Sequence, residues 1–245
     1  MRNIILVIEY DGTNYNGWQA QEKYPSIQEE IEKAIFKATK EKVKLKAAGR
    51  TDARVHALGQ VANFFTTSNI PGDKFRFVLN NELPDDIRVQ SSQEVDHTFN
   101  ARFSATHKRY RYRIFNGLVE RPLIRNFSYH VTYQLDVEKM RQAANDFIGT
   151  FDYKSFRGRR SSIKTSIRTV YSVDIKQKGE MIDIIVEGNS FLRNMVRIMV
   201  GTLIEIGAGL RPADSIPWTI KQENRNCAGH TAPAQGLFLE KVFYK

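Results

Sequence analysis

The sequence predicts an α+β fold in which two related halves form one continuous, mainly antiparallel sheet with helices on one side. The chain has 245 residues, a length that suits one large or two small domains. Each half contains a strand, an amphipathic helix and then further strands, which is the order expected of a helix-covered sheet. We place the division between an N-terminal half, residues 1–106, and a C-terminal half, residues 107–245.

Hydrophobic periodicity defines the elements of the N-terminal half. The run from Ile4 to Ile8 is apolar at every position and predicts a central strand covered on both faces. Ser26 and Glu29 form a capping box that begins an amphipathic helix. Alternation of lysine with apolar residues from Lys42 to Lys46 predicts a half-buried strand, and a second strand is predicted from Gln60 to Thr66.

The C-terminal half begins with a strand of alternating character. Between Lys108 and Ile114 arginines alternate with Tyr110 and Tyr112, which places guanidinium groups on one face and aromatic rings on the other. Asp136 is expected to cap a helix that ends at Gly149. The remaining predicted elements are strands near 168–176 and 181–187, an apolar helix near 191–206 and a final strand at 236–243.

Composition favours a polyanionic partner. The chain carries a net charge of +10 and a pI of about 9.6, and it has no basic amphipathic helix or apolar run near the ~18 residues that span a bilayer. Nucleic acid is therefore favoured over a membrane, and we expect a cytoplasmic protein. Cys227 is the only cysteine and the histidines lack ligand spacing, so neither a disulfide nor a metal site is expected.

A basic segment interrupted by aromatic residues lies between residues 150 and 168. Cations bind phosphates and rings stack on bases, so this mixture is typical of an RNA-contacting loop. An ordinary surface loop is the alternative. The cations expected to contact RNA there are Arg157, Arg159, Arg160 and Lys164.

The most informative stretch is Gly49 to Ala57, which follows a predicted strand. It sets one carboxylate, Asp52, between Arg50 and Arg54. Nearby positive charge keeps an aspartate ionised. From the residues alone, Asp52 is either a turn-stabilising carboxylate or a nucleophile.

This stretch resembles the signature of the TruA family of tRNA pseudouridine synthases, and the resemblance extends in order over nearly the whole chain. Each block alone is a weak signal, whereas their joint order is specific. The other similar blocks are Tyr10-Asp11-Gly12-Thr13, Gly17-Trp18-Gln19, Asn100-Ala101-Arg102-Phe103-Ser104-Ala105, Tyr110-Arg111-Tyr112, Asn189-Ser190-Phe191-Leu192, Met195-Val196-Arg197, Gly201, Thr231-Ala232-Pro233-Ala234 and Gly236-Leu237.

The resemblance implies the pseudouridine synthase fold with a central RNA-binding cleft, and a cofactor-independent isomerase. It implies modification of uridines 38, 39 and 40 in the anticodon stem and loop of tRNA by a homodimer. It gives Asp52 the catalytic role and makes Arg197 its partner, although an arginine snorkelling at the helix surface is the alternative. Tyr110 is implied to pack against the target base, the alternative being a core aromatic.

Arg50, Arg54 and Arg109 are further candidates for binding RNA, although Arg50 and Arg54 are equally suited to holding their loop. Most members of the family carry glycine at the position of Arg54. Either the backbone there does not need a positive φ, or the loop has shifted and gained a charge beside Asp52. A noncatalytic RNA-binding or RNA-folding protein would explain the charge but not an acid at position 52. A metal-dependent nuclease would need clustered carboxylates, which the sequence lacks.

Overall fold

The computed structural model describes residues 1–158 and 165–245. These residues form two compact units. The first comprises Met1–Thr106 and Phe238–Lys245, and the second comprises His107–Leu237. The last segment of the chain therefore belongs to the first unit, although it follows the second in sequence.

The first unit contains a mixed but mainly antiparallel sheet. Its strand order is β4-β1-β3-β10, and β2 pairs with β3. β1 is antiparallel to both neighbours, whereas β10 runs parallel to β3. The elements are β1 (Arg2–Tyr10), α1 (Ile27–Thr39), β2 (Lys46–Ala47), β3 (His56–Thr66), α2 (Phe75–Asn80), β4 (Ile87–Val95) and β10 (Leu237–Tyr244).

The core of the first unit lies on one face of β1. Ile4, Leu6 and Ile8 are fully buried, as are residues of α1 and α2. Phe64 of β3 meets Phe75 of α2 edge to face, with ring centroids 5.5 Å apart. Ile5 and Val7, on the other face, are only half-buried. The predicted central position of β1 is confirmed, but burial on both faces is incomplete.

The second unit repeats the plan of strands with helices. Its strand order is β5-β9-β8-β7, with β6 parallel to β5. Ile182, Ile184 and Val186 of β9 are fully buried, together with much of α3 and α4. The elements are β5 (Ala105–Phe115), β6 (Tyr129–His130), α3 (Val137–Ala144), β7 (Gly149–Asp152), β8 (Ile167–Lys178), β9 (Met181–Gly188), α4 (Met195–Gly207) and α5 (Ser215–Lys221).

The α+β class, the mainly antiparallel strands and the helices are as the sequence predicts. Both predicted caps are confirmed, because Ser26 accepts a hydrogen bond from the Glu29 N–H and Asp136 from the Lys139 N–H. These caps fix the first residues of α1 and α3.

Several predicted boundaries are wrong, and three of them have an identifiable cause. Only Lys46–Ala47 is a strand in the region predicted from Lys42, since the Leu45 N–H donates to Glu32 Oε1 at 2.9 Å. α4 begins at Met195, because Asn194 has a left-handed backbone, φ 60°. α3 ends at Ala144 and a 3₁₀ turn follows it, so Gly149 is not its cap.

Candidate active site

The loop that carries Asp52 connects β2 to β3 in the first unit. Asp52 is half-buried, while Thr51 and Val55 on either side are buried. The Val55 N–H donates to the Asp52 carbonyl oxygen at 3.2 Å, which closes a turn directly before β3. The loop is thus pinned at both ends and Asp52 occupies its bend.

Residues 10–18 hold this loop from the side. The hydroxyl groups of Tyr10 and Thr51 are 2.8 Å apart, and the Trp18 N–H donates to the Thr51 carbonyl at 3.1 Å. Burial raises the pKa of Tyr10 well above its ordinary value, so its hydroxyl stays protonated. The Arg54 N–H also donates, to the Tyr15 carbonyl at 3.2 Å. Two sequence blocks about 40 residues apart therefore form one structural element.

Two glycines allow this close approach. A Cβ on Gly12 would lie 2.1 Å from the Val55 carbonyl oxygen, and one on Gly17 would lie 2.5 Å from that of Thr51. Gly17 also has a φ of +92°, which other residues rarely adopt. A side chain at either position would displace the backbone that carries Asp52.

His56 supports the same loop from inside. It is 1% exposed, and its ring stacks on Phe238 with centroids 4.8 Å apart. Its Nδ1 accepts a hydrogen bond from the Gly12 N–H at 3.0 Å and lies 3.1 Å from Asp11 Oδ1. Its ring is buried and both of these contacts are to residues that hold the loop, so we interpret His56 as a structural residue.

The two arginines beside Asp52 are exposed. Within the first unit, neither the Arg50 nor the Arg54 side chain makes an ion pair or a hydrogen bond to a described residue. Arg54 has a φ of 64°, which is the left-handed conformation that favours glycine. Of the two alternatives considered for this position, the one without a positive φ is therefore wrong. The chain retains the left-handed backbone and places a guanidinium group on it.

In the second unit, Tyr110 and Tyr112 occupy the same face of β5 but differ in burial. Tyr112 is fully buried, and its hydroxyl donates to the Pro233 carbonyl at 2.8 Å. Burial raises the pKa of Tyr112, and the positive charge of Arg197 opposes that effect. Tyr110 is only half-buried and meets Phe191 edge to face at 5.2 Å. Tyr112 is thus a core residue, whereas part of the Tyr110 ring is accessible.

Arg197 lies in the third position of α4 and is half-buried. Its Nε donates to the Ala232 carbonyl at 2.7 Å, and one terminal nitrogen donates to Asn194 Oδ1 at 3.2 Å. The Ala232 N–H in turn donates to the Arg197 carbonyl at 3.1 Å. Two acceptors of the second unit, a backbone carbonyl and a side-chain amide, thus fix the guanidinium group. The arginine is anchored and does not snorkel.

The basic face of β5 is compensated by β9. Arg109 pairs with Glu187 at 2.6 Å, and Arg111 pairs with Asp183 at 3.2 Å. Arg109 is therefore a weaker candidate for phosphate than its sequence position indicates. Arg157 is described and half-buried, whereas the other predicted cations of that segment, Arg159, Arg160 and Lys164, lie outside the described residues.

Comparison with known proteins identifies the family. The family model described as tRNA pseudouridine synthase matches residues 6–104 and 143–245. The chain belongs to the tRNA pseudouridine synthase family. Curated proteins named tRNA pseudouridine synthase A are 52% identical in Acetivibrio thermocellus, 48% in Thermoanaerobacter sp. and 47% in Ruminiclostridium cellulolyticum. Each alignment covers 100% of both chains.

Membership of the tRNA pseudouridine synthase family confirms the resemblance and the fold class predicted from the sequence. Enzymes of this family are isomerases. Among residues 1–158 and 165–245, no group of three or more His, Cys, Asp or Glu side chains could hold a metal ion. None of the helices in the described ranges combines the length and hydrophobicity needed to cross a membrane.

The residues that position the Asp52 loop were not predicted as functional from the sequence. Tyr10, Gly12 and Gly17 were recognised only as parts of similar blocks, and the hydrogen bond between the hydroxyl groups of Tyr10 and Thr51 was not predicted. A signal was present, because two glycines, Gly12 and Gly17, lie close together in blocks that resemble the family. Only the structure shows that the segment containing these glycines and the Asp52 loop are in contact.

Proposed function

We propose that this chain converts uridine to pseudouridine at positions 38, 39 and 40 of tRNA, with Asp52 as the nucleophile. The observation that carries the proposal is the Asp52 loop itself. An aspartate sits at a bend fixed by Thr51 and Val55 and flanked by two exposed arginines. The full-length similarity to proteins named tRNA pseudouridine synthase A supports the substrate.

The reaction breaks the bond from ribose C1′ to base N1 and joins C1′ to C5 of the same uracil. One C–N bond is replaced by one C–C bond, the C5 proton is lost and N1 gains a proton. There is no redox change and no net transfer of atoms, so the balance needs no cofactor. Asp52 attacks C1′, assists loss of the base by removing a proton from C2′, or attacks uracil C6. All three routes require an ionised carboxylate.

The second unit supplies the other proposed substrate-binding residues. Tyr110 offers part of its ring to a base, since it is half-buried, and stacking of one base is worth about 1–3 kcal/mol. Arg197 offers a guanidinium group fixed by Ala232 and Asn194. Its predicted ion pair with Asp52 stays a prediction. A double-mutant cycle of Asp52→Asn and Arg197→Gln, measured on the free energy of unfolding, tests it, and zero coupling contradicts it.

Contacts with the rest of the RNA are assigned to cations. Arg50 and Arg54 are exposed beside Asp52, and the net charge of +10 favours a polyanion. We assign phosphate contacts to Arg50, Arg54 and Arg157. Arg109 is assigned one as well, in which a phosphate replaces Glu187 as its ion-pair partner. Arg159, Arg160 and Lys164 complete this set from outside the described residues.

We also propose that the enzyme acts in the cytoplasm as a homodimer, because one subunit is small compared with a folded tRNA. Size-exclusion chromatography with light scattering, with and without tRNA, measures the oligomeric state. A monomer that modifies tRNA at full rate contradicts the dimer.

The decisive experiment replaces Asp52 by asparagine. Purified protein is incubated with tRNA transcripts and pseudouridine is mapped at single-nucleotide resolution. Asp52→Asn should bind tRNA with unchanged affinity and form no pseudouridine. The matched control is Asp73→Asn, which removes an exposed carboxylate of the first unit and should keep full activity. Substantial turnover by Asp52→Asn would remove Asp52 as the nucleophile.

The same assay separates two roles of Tyr110. Tyr110→Phe keeps the ring for stacking and loses only the hydroxyl. Unchanged turnover excludes proton transfer by Tyr110, whereas lost turnover with unchanged affinity assigns it. A protein that binds tRNA but forms no pseudouridine in its wild-type form would favour the noncatalytic RNA-binding alternative.

A further inference from the structure

A tight turn in the first unit presents an aromatic ring and a cation to solvent. Phe103 is 78% exposed, and the guanidinium carbon of Arg102 lies 5.4 Å from the centroid of its ring. Ala101, directly before them, is fully buried. The chain thus anchors one residue of this turn inside the unit and directs the next two outward.

The backbone of the turn is closed by Asn100 and Ser104. The Asn100 side-chain oxygen accepts hydrogen bonds from the N–H groups of Arg102 at 3.0 Å and Phe103 at 3.3 Å. The Ser104 N–H donates to the Asn100 carbonyl at 2.9 Å, and the Ser104 hydroxyl accepts from the Asn100 N–H at 3.1 Å. Four hydrogen bonds within five residues fix the backbone that carries both exposed side chains.

Buried asparagines tie the turn to the sheet. Asn63 of β3 accepts from the Ala101 N–H at 2.9 Å and donates to Asn3 of β1 at 2.8 Å. Asn3 donates to the Phe99 carbonyl at 3.0 Å. Both asparagines are at most 1% exposed. Burying an amide is costly unless it is hydrogen-bonded. These two buried side chains satisfy their amide groups through the hydrogen bonds that hold the turn.

A second cation–aromatic pair lies on the same part of the sheet. Phe65 is the cross-strand partner of Asn3, and Lys46 is the partner of Asn63. The Lys46 ammonium lies 5.0 Å from the centroid of the Phe65 ring. Directly paired residues of neighbouring antiparallel strands project from the same face. Lys46 and Phe65 therefore share a face of the sheet with the buried asparagines that hold the turn.

Within the described residues, Arg102, like Arg50 and Arg54, carries an uncompensated charge, whereas two other arginines of this unit are paired with carboxylates. Arg2 is paired with Glu94 and Arg88 with Asp85. Arg102 makes no ion pair with a carboxylate among residues 1–158 and 165–245. A rigid turn that exposes a full phenyl ring beside an uncompensated cation suits a ligand with a flat apolar face and a negative charge. An unpaired nucleotide has both.

We propose that Arg102 and Phe103 form an RNA-contact site, in which Phe103 stacks on an unpaired base and Arg102 binds the neighbouring phosphate. The proposal rests on the proposed function only in taking tRNA as the RNA. Neither residue touches the reacting atoms, and both act by positioning the substrate. Substitution of either residue should therefore raise KM for tRNA and leave kcat unchanged.

The test compares variants of the full-length chain by fluorescence anisotropy with a labelled tRNA transcript at several salt concentrations. Phe103→Ala and Phe103→Leu should weaken binding by about fivefold to 150-fold, whereas Phe103→Tyr keeps the ring and should bind as wild type. Arg102→Gln should reduce the slope of log affinity against log salt by about one. Leu123→Ala removes an apolar side chain that is 92% exposed and should change nothing.

Light scattering on the same samples distinguishes RNA from a second copy of the chain. Loss of affinity with unchanged oligomeric state supports the RNA-contact site. Loss of the oligomer by Phe103→Ala would make the turn a subunit contact and overturn the proposal, as would unchanged affinity in Phe103→Ala and Arg102→Gln. If Asp52→Asn stays active while Phe103→Ala loses affinity, the nucleophile assignment fails and the RNA-contact site stands.

Discussion

Arg54 allows the backbone of the Asp52 loop to be tested separately from its charge. Its φ of 64° lies in the left-handed region, where a residue with a Cβ is disfavoured by about 1–2 kcal/mol. Arg54→Gly removes that cost and the guanidinium group together. Arg54→Ala removes only the guanidinium group, because alanine keeps the Cβ. The difference between the two variants is therefore the backbone contribution.

The expected magnitude follows from two opposing effects. Glycine relieves about 1–2 kcal/mol of backbone strain in the folded chain. It also makes the unfolded chain more flexible, which lowers the free energy of unfolding by about 0.5–1 kcal/mol. We expect Arg54→Gly to raise the free energy of unfolding by about 0–1.5 kcal/mol relative to Arg54→Ala. For a chain of this length, 1 kcal/mol corresponds to about 2–4 °C in the unfolding temperature.

Lys40 provides the matched control. It is exposed, it has a φ of 62°, and its N–H donates to the Phe36 carbonyl at the end of α1. Lys40→Gly should give a similar stabilisation. It lies in a helix cap outside the Asp52 loop, so it should leave the affinity for tRNA unchanged.

Thermal unfolding and salt-dependent tRNA binding give the two readouts. If Arg54 contacts a phosphate, both Arg54 variants should bind tRNA more weakly than wild type and to the same extent. The slope of log affinity against log salt should then fall by about one in each. If Arg54→Gly is less stable than Arg54→Ala while Lys40→Gly is stabilised, the left-handed backbone at Arg54 is not strained and the reasoning fails.

Three further predictions concern other parts of the fold. Gly17→Ala should abolish turnover and cost about 1–3 kcal/mol of stability, because its Cβ would clash with the loop and its φ is +92°; measured full activity would contradict this. Asp136→Ala should cost about 0.5–2 kcal/mol in chemical denaturation through loss of the α3 cap, and a neutral result would refute the capping role. Burial, the largest effect, raises the pKa of Glu205, but hydrogen bonds from His230 and Arg211 outweigh it and hold the pKa below the ordinary 4.5. The resulting stabilisation is present above about pH 4.5 and is lost as pH falls through the lowered pKa. Glu205→Gln should therefore be less stable than wild type at neutral pH, and the difference in unfolding temperature should shrink in acid; a constant difference would contradict the assignment.

The fold was predictable where the local signals were unambiguous. Ser26 and Asp136 are caps whose side chains satisfy N–H groups at the start of a helix, and this depends only on neighbouring residues. The segment from Lys42 to Leu45 was not predictable in the same way. Its alternation is typical of a strand, but the side chain of Glu32 on α1 takes the Leu45 N–H. A tertiary contact therefore overrides the local pattern.

The candidate site shows the same division. Asp52, Tyr110 and Arg197 were selected through the resemblance, and no local rule would have distinguished Asp52 from an ordinary turn aspartate. The pairing of Arg109 with Glu187 depends on the register of β5 and β9, which the sequence does not give. The left-handed backbone at Arg54 could not be predicted from the arginine itself, because arginine rarely adopts a positive φ.

The contacts that hold the Asp52 loop explain why replacing the aspartate is a clean experiment. Support comes from the hydroxyl of Thr51, the carbonyl groups of Thr51 and Asp52, and the N–H groups of Arg54 and Val55. Asparagine has the same backbone groups and nearly the same side-chain volume as aspartate, so Asp52→Asn leaves these contacts intact. A loss of turnover in that variant therefore reports on the charge and nucleophilicity of the carboxylate. Gly17→Ala does the reverse, because it keeps the carboxylate and moves the backbone beneath it. Inactivity of both variants, with tRNA affinity retained, would show that catalysis needs the charge and its placement together.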